Sequence, residues 1–199
     1  MAKASPSDAE LVKKAQAGQR EAFGLLVERH QDYVYSSVCY LTGGGQDAED
    51  IAQEVFVSAY RALGRFQGRA LFTTWLYGIM LNSVRSYWRR RRKVKVLSVQ
   101  SGGAGDAGED DDPAVQVAAR QDGPAEMSLR AERVQVVRAA IAALEEDLRE
   151  IVVLRDIQGL SYEELAETLA LPNGTVKSRL YRARRELMER LRPFWDAQE

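Results

Sequence analysis

Apolar residues near the end of the chain recur at helical spacing in two neighbouring segments. Leu165, Ala166 and Leu169 give the first segment one apolar side, and Ser161 with Glu164 has the spacing of a capping box at its start. The second segment has a stripe at i, i+4, i+7 and i+11, formed by Val176, Leu180, Ala183 and Leu187. We expect Leu171-Pro172-Asn173-Gly174 between them to form a turn, because proline removes a backbone donor and asparagine and glycine tolerate turn geometry. The pattern predicts a helix–turn–helix.

The first half of the chain, to about Lys95, has helical periodicity throughout. Ser7 and Glu10 have the spacing of a second capping box, Gly18 separates the first two helices, and Thr42-Gly43-Gly44-Gly45 ends the second. Asp47 to Leu63 is predicted to be a helix with a core stripe made of Ala48, Ile51, Ala52, Val55, Ala59 and Leu63.

A loop is predicted after this helix, at Phe66-Gln67-Gly68-Arg69-Ala70. In the helix that follows, Trp75, Leu76 and Ile79 are expected to be buried. Some of the aromatic side chains in this region therefore belong to the core.

The helical pattern stops between the two halves of the chain. From Ser98 to Gly123 the sequence is rich in glycine, alanine and acid and cannot bury apolar surface, which predicts a flexible tether. Helical spacing resumes at about Ala125, with an apolar face formed by Met127, Ala131, Val134, Val137, Ile141 and Leu144. No segment shows convincing strand alternation. We predict an all-α protein with two small helical domains, residues 1–95 and 125–199, joined by an acidic linker, residues 96–124.

The face opposite the C-terminal apolar stripe is basic. It holds Gly174, Ser178, Tyr181, Arg182 and Arg185, with Lys177 and Arg184 at one edge and Arg179 on the other flank. A solvated amphipathic helix is the ordinary interpretation of such a face, but such helices usually carry alternating acids, and this one has few. A buried stripe backed by donors, after a turn, favours a helix that enters the major groove of duplex DNA.

A second basic segment lies in the first half. It contains seven basic residues with no acidic residue between them: Arg85, Arg89, Arg90, Arg91, Arg92, Lys93 and Lys95. Aromatic residues stand just before and among them: Phe66, Phe72, Trp75, Tyr77, Tyr87 and Trp88. Basic side chains that pair with successive phosphates, together with aromatic rings on which unpaired nucleotides stack, are typical of proteins that bind single strands.

Asp47, Asp50 and Glu54 share one side of the third predicted helix at i, i+3 and i+7, and Phe56 lies beside them. Carboxylates on one face can hold a divalent cation, but no histidine and no calcium-type glycine loop is nearby. A solvated acidic face and a docking face for a basic protein are the other interpretations.

Composition narrows the function classes. Lys and Arg number 28 and Asp and Glu 29, so the net charge of −1 conceals segregated basic and acidic regions. The single cysteine, Cys39, excludes an internal disulfide and fits a reducing compartment, and with the single histidine, His30, it cannot build a thiolate–imidazole zinc site. No Walker-type loop or catalytic triad can be assembled, so we expect no enzymatic activity, cofactor or metal. The lack of a signal peptide or bilayer-spanning stretch predicts a cytoplasmic protein.

Two regions of the chain together resemble the extracytoplasmic-function sigma factors, a group of the sigma-70 family. The segment LREIVVLRDIQGLSYEELAETLALPNGTVKSRLYRARREL resembles their C-terminal domain. The segments DAEDIAQEVFVSAYRAL and FQGRALFTTWLYGIMLNSVRSYWRRRR resemble their promoter-melting domain. A helix–turn–helix alone is shared by many regulators, whereas two matches in this order and separation are specific. The resemblance implies a sigma factor that binds core RNA polymerase and directs promoter-specific transcription initiation, with catalysis left to the polymerase.

The resemblance also implies roles for individual residues. The C-terminal helix would read the −35 duplex, through Lys177, Ser178, Arg179, Tyr181, Arg182 and Arg185. The −10 strand would be captured by Phe66, Gln67, Gly68, Arg69, Asn82, Arg85, Trp88, Arg89 and Arg90. The loop at Phe66 would receive a base flipped out of the −10 element, and Asn82 would contribute to its pocket. Ser86 departs from the family, which commonly has an acid there.

The implied partners are core RNA polymerase, promoter DNA and an anti-sigma factor. Asp47, Asp50, Glu54 and Phe56 would dock on the coiled coil of the β′ subunit, and the β flap would be a second polymerase contact. For the acidic linker, with Asp106, Glu109, Asp110, Asp111 and Asp112, a path through the polymerase cleft and a passive tether are equally good interpretations.

Two other classes compete with this prediction. One is an autonomous helix–turn–helix regulator whose first domain senses a ligand or dimerises; the second basic surface argues against it. The other is a metal-using nucleic-acid enzyme built on Asp47, Asp50 and Glu54. Run-off transcription separates all three classes.

Overall fold

The computed structural model describes residues 5–100 and 124–196, with side chains described for 5–93 and 131–196. Every regular element in these ranges is helical, which confirms the predicted all-α class. The described residues fall into two compact units, the first made of 5–35 and 49–100 and the second of 36–48 and 124–196. The five linker acids, Asp106, Glu109, Asp110, Asp111 and Asp112, lie outside the described residues. None of the helices in the described ranges has the length and apolarity needed to cross a bilayer.

The first half contains four helices: α1 (Asp8–Gln16), α2 (Arg20–Thr42), α3 (Gln46–Ala62) and α4 (Phe72–Gln100). A 3₁₀ turn, Leu63–Arg65, follows α3. The predicted capping box opens α1: the Glu10 amide donates to Ser7 Oγ at 3.3 Å, and the Ser7 amide donates to the Glu10 carboxylate at 2.9 Å. The bond from the Ser7 backbone, followed by that from its side chain, lowers the pKa of Glu10. Helix α4 continues five residues past the predicted end at Lys95.

The predicted core stripe from Ala48 to Leu63 is buried along its whole length. All six stripe residues are buried: Ala48, Ile51, Ala52, Val55, Ala59 and Leu63. Helix α1 is fixed by burial of Leu11 and Val12 and by Asp8, whose carboxylate pairs with Arg29 and, at 2.8 Å, with His30. The histidine is itself buried, so the only histidine of the chain serves to hold α1 on α2.

The second half contains α5 (Pro124–Ala142), α6 (Glu146–Val152), α7 (Tyr162–Leu169) and α8 (Asn173–Asp196), with a π-helical turn, Val153–Ile157, between α6 and α7. Among the described side chains of the apolar face predicted from Ala125 on, Ile141 at the end of α5 and Leu144 just after it are buried, Val134 and Val137 are half-buried, and Ala131 is exposed. Arg149 closes the turn before α6 by donating to the Leu144 carbonyl at 2.9 Å and to the Ala142 carbonyl. Burial lowers the pKa of this arginine.

Candidate nucleic-acid interfaces

Helices α7 and α8 form the predicted helix–turn–helix. The capping box is present at its start, since Ser161 Oγ accepts from the Glu164 amide at 3.1 Å and the Ser161 amide donates to the Glu164 carboxylate at 2.7 Å. The turn begins and ends earlier than predicted: Leu171 and Pro172 lie between the helices as expected, but α7 already ends at Leu169 and Asn173 belongs to α8. The residue that breaks the helix is Ala170, which has left-handed backbone angles, φ 53° and ψ 47°.

This turn has the hydrogen bonds of a Schellman motif. The Leu171 amide donates to the Ala166 carbonyl at 3.0 Å, and the Ala170 amide donates to the Glu167 carbonyl at 3.3 Å. Glycine usually occupies the left-handed position, because a Cβ atom there costs about 1 kcal/mol or more. Alanine at this place gave no turn signal in the sequence, whereas Asn173-Gly174 gave a false one.

One face of α8 is buried and the opposite face is exposed. Val176, Leu180 and Ala183 are buried as predicted, while Leu187 is only half-buried. Most of the residues predicted to read the duplex are exposed, among them Tyr181 with 72% of its surface accessible. The remaining exposed members are Lys177, Ser178, Arg182 and Arg185; Arg179 is half-buried on the flank. The arrangement leaves hydroxyl and guanidinium donors free of the domain core.

Carboxylates of the same unit pair with the arginines of this face. Arg182 lies 3.0 Å from Glu145, just before α6, and 3.3 Å from Glu186 on its own helix. Arg179 lies 3.5 Å from Asp147. These are exposed or half-exposed pairs, which contribute little to stability and can exchange for phosphate. They hold the guanidinium groups in defined positions on the outer side of α8.

Arg184, at the edge of the predicted face, has a different role. Its Nε donates to Asp156 Oδ2 at 3.0 Å, and a second nitrogen contacts the other carboxylate oxygen. This hydrogen bond raises the pKa of Arg184. Asp156 lies in the π-helical turn, and the neighbouring Arg155 lies over the Tyr162 ring at 4.9 Å. Arg184 therefore fastens α8 to the preceding helices.

The second basic surface lies along α4. Arg89 and Arg90 are exposed, and Arg89 donates to Ser86 Oγ at 2.7 Å. Ser86 in turn donates to the Asn82 carbonyl at 2.8 Å, and Arg91 donates to the Tyr87 hydroxyl at 2.8 Å. The side chain of Lys95, the last predicted base of this run, lies outside the described side chains.

Three of the six aromatic residues that stand before and among the basic residues are buried, in keeping with the expectation that some of these rings belong to the core. Trp88 is 7% exposed, Tyr77 8% and Phe72 4%. The role of Trp88 in strand binding stays a prediction, and little of its surface is exposed in this structure. Its position beside the arginines in sequence does not imply exposure, since successive residues of a helix point 100° apart. Trp75 and Ile79, which we expected to be buried, are half-buried.

Phe66 to Ala70 form a loop, as predicted, between the 3₁₀ turn and α4. The Phe66 ring lies 4.9 Å from that of Trp75 and 6.1 Å from that of Phe72. The next three residues, Gln67, Gly68 and Arg69, are exposed. Gly68 has φ 68°, a conformation that favours glycine. Leu71, which the pattern did not single out, is 64% exposed beside the loop.

Asn82 is exposed on α4. In the part of the chain described here, no hydrogen bond joins its side chain to Gln67, Gly68 or Arg69, and its place in a pocket for a flipped base stays a prediction. A residue that the sequence did not indicate does contact the loop. Gln16, at the end of α1, donates to the Phe66 carbonyl at 2.8 Å.

The acidic side of α3 is exposed at Asp47, Asp50 and Glu54, and Phe56 is half-buried. Glu54 lies 3.8 Å from Arg90 of the second basic surface. Two apolar residues that we did not predict, Val57 and Tyr60, are also exposed on this helix. Over the described residues, no three His, Cys, Asp or Glu side chains are grouped as metal ligands.

These features define an all-helical protein that carries a helix–turn–helix, and sequence comparison identifies its family. Family models described as "Sigma-70 region 2" and "Sigma-70, region 4" match residues 26–94 and 135–187. The RNA polymerase sigma-H factor of Pseudomonas aeruginosa is 36% identical over 187 residues, which cover 94% of this chain and 95% of the relative. The ECF RNA polymerase sigma-E factor of Escherichia coli K12 is 37% identical over 197 residues, with coverage of 94% and 96%.

Solved structures agree with the sequence relatives. The chain CnrH, solved in complex with the cytosolic domain of CnrY, is 27% identical with a TM-score of 0.66, covering 96% of this chain and 99% of that one. The sigma factor RpoE of Bartonella quintana, solved with the anti-sigma factor NepR, shares the fold with a TM-score of 0.63, 24% identity and coverage of 85% and 96%. The chain belongs to the extracytoplasmic-function group of the sigma-70 family and is a sigma factor for transcription initiation.

Proposed function

We propose that this sigma factor divides promoter recognition between its two basic surfaces. Helix α8 reads the −35 duplex, and α4 with the loop at 66–70 melts and holds the −10 strand. The observation that carries the proposal is the exposed face of α8, on which Ser178, Tyr181 and Arg182 lie opposite a buried stripe. A helix supported from behind, with donors in front, has the shape and chemistry that the major groove requires.

Two features support strand capture by the first unit. Arg89 and Arg90 are exposed on α4 and can follow a phosphate backbone. The exposed loop residues Gln67 and Arg69 offer an amide and a guanidinium for a base edge and a phosphate. Asn82 is exposed on the same helix as the arginines, where it can contact a base once a strand is present. Burial of Trp88 leaves stacking to other rings, such as the half-buried Phe66 and Tyr87.

The acidic side of α3 is the proposed docking site for the β′ coiled coil of the polymerase. Asp50 and Glu54 supply charge, and the exposed Val57 and Tyr60 supply apolar area beside it. Protein interfaces commonly combine an apolar centre with a charged rim. We assign the second polymerase contact, at the β flap, to the C-terminal unit.

An anti-sigma factor is the remaining proposed partner. The similar chain CnrH was solved with the cytosolic domain of another protein, CnrY, bound to it. This supports a regulatory protein that binds the present chain. Such a protein would keep it from the polymerase until a signal removes the inhibitor.

Run-off transcription tests the proposed function. Core polymerase, this protein and duplex templates with a randomised upstream region are incubated, and the transcripts are sequenced to recover the promoters used. We expect transcripts from templates that share two elements, and none without the protein. Transcription that needs a further activator, or starts that share no upstream element, would contradict the proposal.

Asn82→Ala tests strand capture on a promoter obtained in this way. We expect open-complex formation, followed by permanganate reactivity of the −10 thymines, to fall much more than initial binding to the duplex. A pre-melted template should restore part of the loss, because unstacking is then already complete. If this variant melted the duplex normally, Asn82 would have no role in strand capture.

A further inference from the structure

Helix α1 lies before the residues matched by the region 2 family model, which begins at residue 26, yet its last residue holds the loop assigned to strand capture. The amide nitrogen of Gln16 donates to the Leu63 carbonyl at 2.9 Å and to the Phe66 carbonyl at 2.8 Å. A primary amide has two N–H donors, and both are used here. The two acceptors are 47 and 50 residues away in sequence, so these bonds join distant parts of the first unit.

The two carbonyls bracket the start of the loop. The Phe66 amide donates to the Leu63 carbonyl at 3.0 Å and closes the 3₁₀ turn, and the Phe66 ring packs on Trp75. Phe66 is therefore fixed through its ring, its N–H and its carbonyl. The exposed residues begin directly afterwards, at Gln67. Gln16 accordingly sets the direction in which the exposed part of the loop leaves the core.

The helix that carries Gln16 is held by buried side chains and by ion pairs. Leu11 and Val12 are buried at 1% and 4% exposure, and Asp8 ties the other end of α1 to Arg29 and His30. Gln16 itself is exposed and adds little to the apolar core. Its two hydrogen bonds are consequently its main contribution, and both are made to one loop.

We infer that Gln16 is a positioning residue for −10 strand capture, which it supports by holding the backbone of Phe66. The inference rests on the proposed function of the loop. A loop that is ordered before binding loses less conformational entropy when the strand arrives, so affinity rises without a new contact to DNA. Gln16 acts through the loop backbone and touches no nucleotide in this role.

Two substitutions separate the donor role from other effects. Gln16→Ala removes both donors, and Gln16→Glu keeps the shape and similar helix propensity but turns carboxylate oxygens toward two carbonyl oxygens. Gln19 lies three residues further on and is exposed, and no hydrogen bond from its side chain reaches the loop in the described part of the chain. Gln19→Ala and Gln19→Glu are therefore matched controls for side-chain loss and for added negative charge.

The probe is a single-stranded oligonucleotide that carries the −10 non-template sequence of a promoter recovered by run-off transcription. We expect Gln16→Ala to weaken its binding about three- to tenfold, and Gln16→Glu to weaken it further, while the Gln19 variants stay near wild type. Binding to the −35 duplex should be unchanged in all four proteins. Hydrogen exchange at the amides of residues 67–70 should be faster in the Gln16 variants only, a change that general destabilisation would not confine to the loop.

The outcomes are distinct. If the wild type binds the strand and Asn82→Ala weakens that binding, but Gln16 variants match their Gln19 counterparts, the Gln16 inference is wrong and the proposed function stands. If the wild-type holoenzyme captures no −10 strand, both are overturned. Should Gln16→Glu unfold the first unit, the comparison of Gln16→Ala with Gln19→Ala in loop exchange decides the question.

Discussion

The arginines of the two basic surfaces have different partners. On α8, Arg182 faces Glu145 at 3.0 Å, and Arg179 faces Asp147 at 3.5 Å. On α4, Arg89 donates to the neutral hydroxyl of Ser86 and Arg91 donates to that of Tyr87, while Arg90 lies 3.8 Å from the carboxylate of Glu54. A carboxylate neutralises the positive charge of the guanidinium that it pairs with. A hydroxyl orients the guanidinium but leaves its charge in place.

This difference suits the two proposed tasks. A phosphate that approaches α8 must displace a carboxylate, so binding to arbitrary duplex is weakened relative to a site where base contacts are also made. A strand that approaches α4 meets the positive charge of Arg89 and Arg91 without displacing a carboxylate, and its affinity comes largely from counterion release. We therefore expect α8 to contribute selectivity among DNA sequences and α4 to contribute affinity that does not depend on the sequence.

The largest effect is expected when the charge of α4 is removed. Replacing Arg89 and Arg90 with alanine should weaken single-strand binding about 25-fold at 0.1 M salt and lower the salt slope by about 1.4, since each strand phosphate contributes about 0.7. Binding measured between 0.05 and roughly 0.3 M salt gives both quantities. Lysine at both positions keeps the charge and should keep the slope. If the salt slope changed equally in the alanine and lysine variants, the charge of α4 would not be the source of its affinity for the strand.

A smaller effect should follow from Arg182→Ala on α8. We expect a loss of about 1–2 kcal/mol in −35 duplex affinity and relaxed preference at one base position, within the range for one base contact. Arg184→Ala is the control two residues away: it should lower the melting temperature, because the bond to Asp156 is lost, and leave base preference intact. Binding to a panel of single-base variants of the −35 element checks both. If the two substitutions alter preference alike, the structural distinction between these arginines is wrong.

The smallest expected effect belongs to the acid that faces Arg182. Glu145→Gln should raise affinity for non-specific duplex about two- to fivefold, because an exposed ion pair of this kind is worth about 0.2–1 kcal/mol and no longer has to be broken. The ratio of specific to non-specific affinity should fall accordingly. Glu132→Gln makes the same charge change at an exposed position of α5 and should raise affinity less. Equal gains from both would mean that net charge alone is responsible.

The features that the sequence predicted correctly are local ones. Both capping boxes are formed by residues three apart, and the core stripe of α3 follows from helical spacing alone. The exposed face of α8 follows from the same geometry once Val176 and Leu180 are buried. In each case the information lies within a few turns of one helix, where sequence and structure are related by a fixed rotation per residue.

The features that were missed depend on how separate segments pack. Gln16 reaches a loop about 50 residues away, and nothing in its neighbourhood indicates that partner. Trp88 is buried on α4, although the arginines next to it in the sequence suggested an exposed side chain. The left-handed Ala170 is stabilised by the Schellman hydrogen bonds around it, although its own type disfavours that conformation. The assignment of residues to single nucleotides remains a prediction as well, because it depends on contacts with a separate molecule, the promoter DNA.

The π-helical turn at Val153–Ile157 makes the length of this segment matter more than the identity of its residues. A π turn accommodates one residue more than an α turn, so everything after it is rotated by about 100° relative to an uninterrupted helix. Two residues of the turn itself contact later elements, Asp156 with Arg184 of α8 and Arg155 with Tyr162 of α7. Conservative replacements within the turn preserve this register, whereas deletion of one residue turns both partners away at once. We therefore expect the segment to accept substitution far more readily than any change in its number of residues.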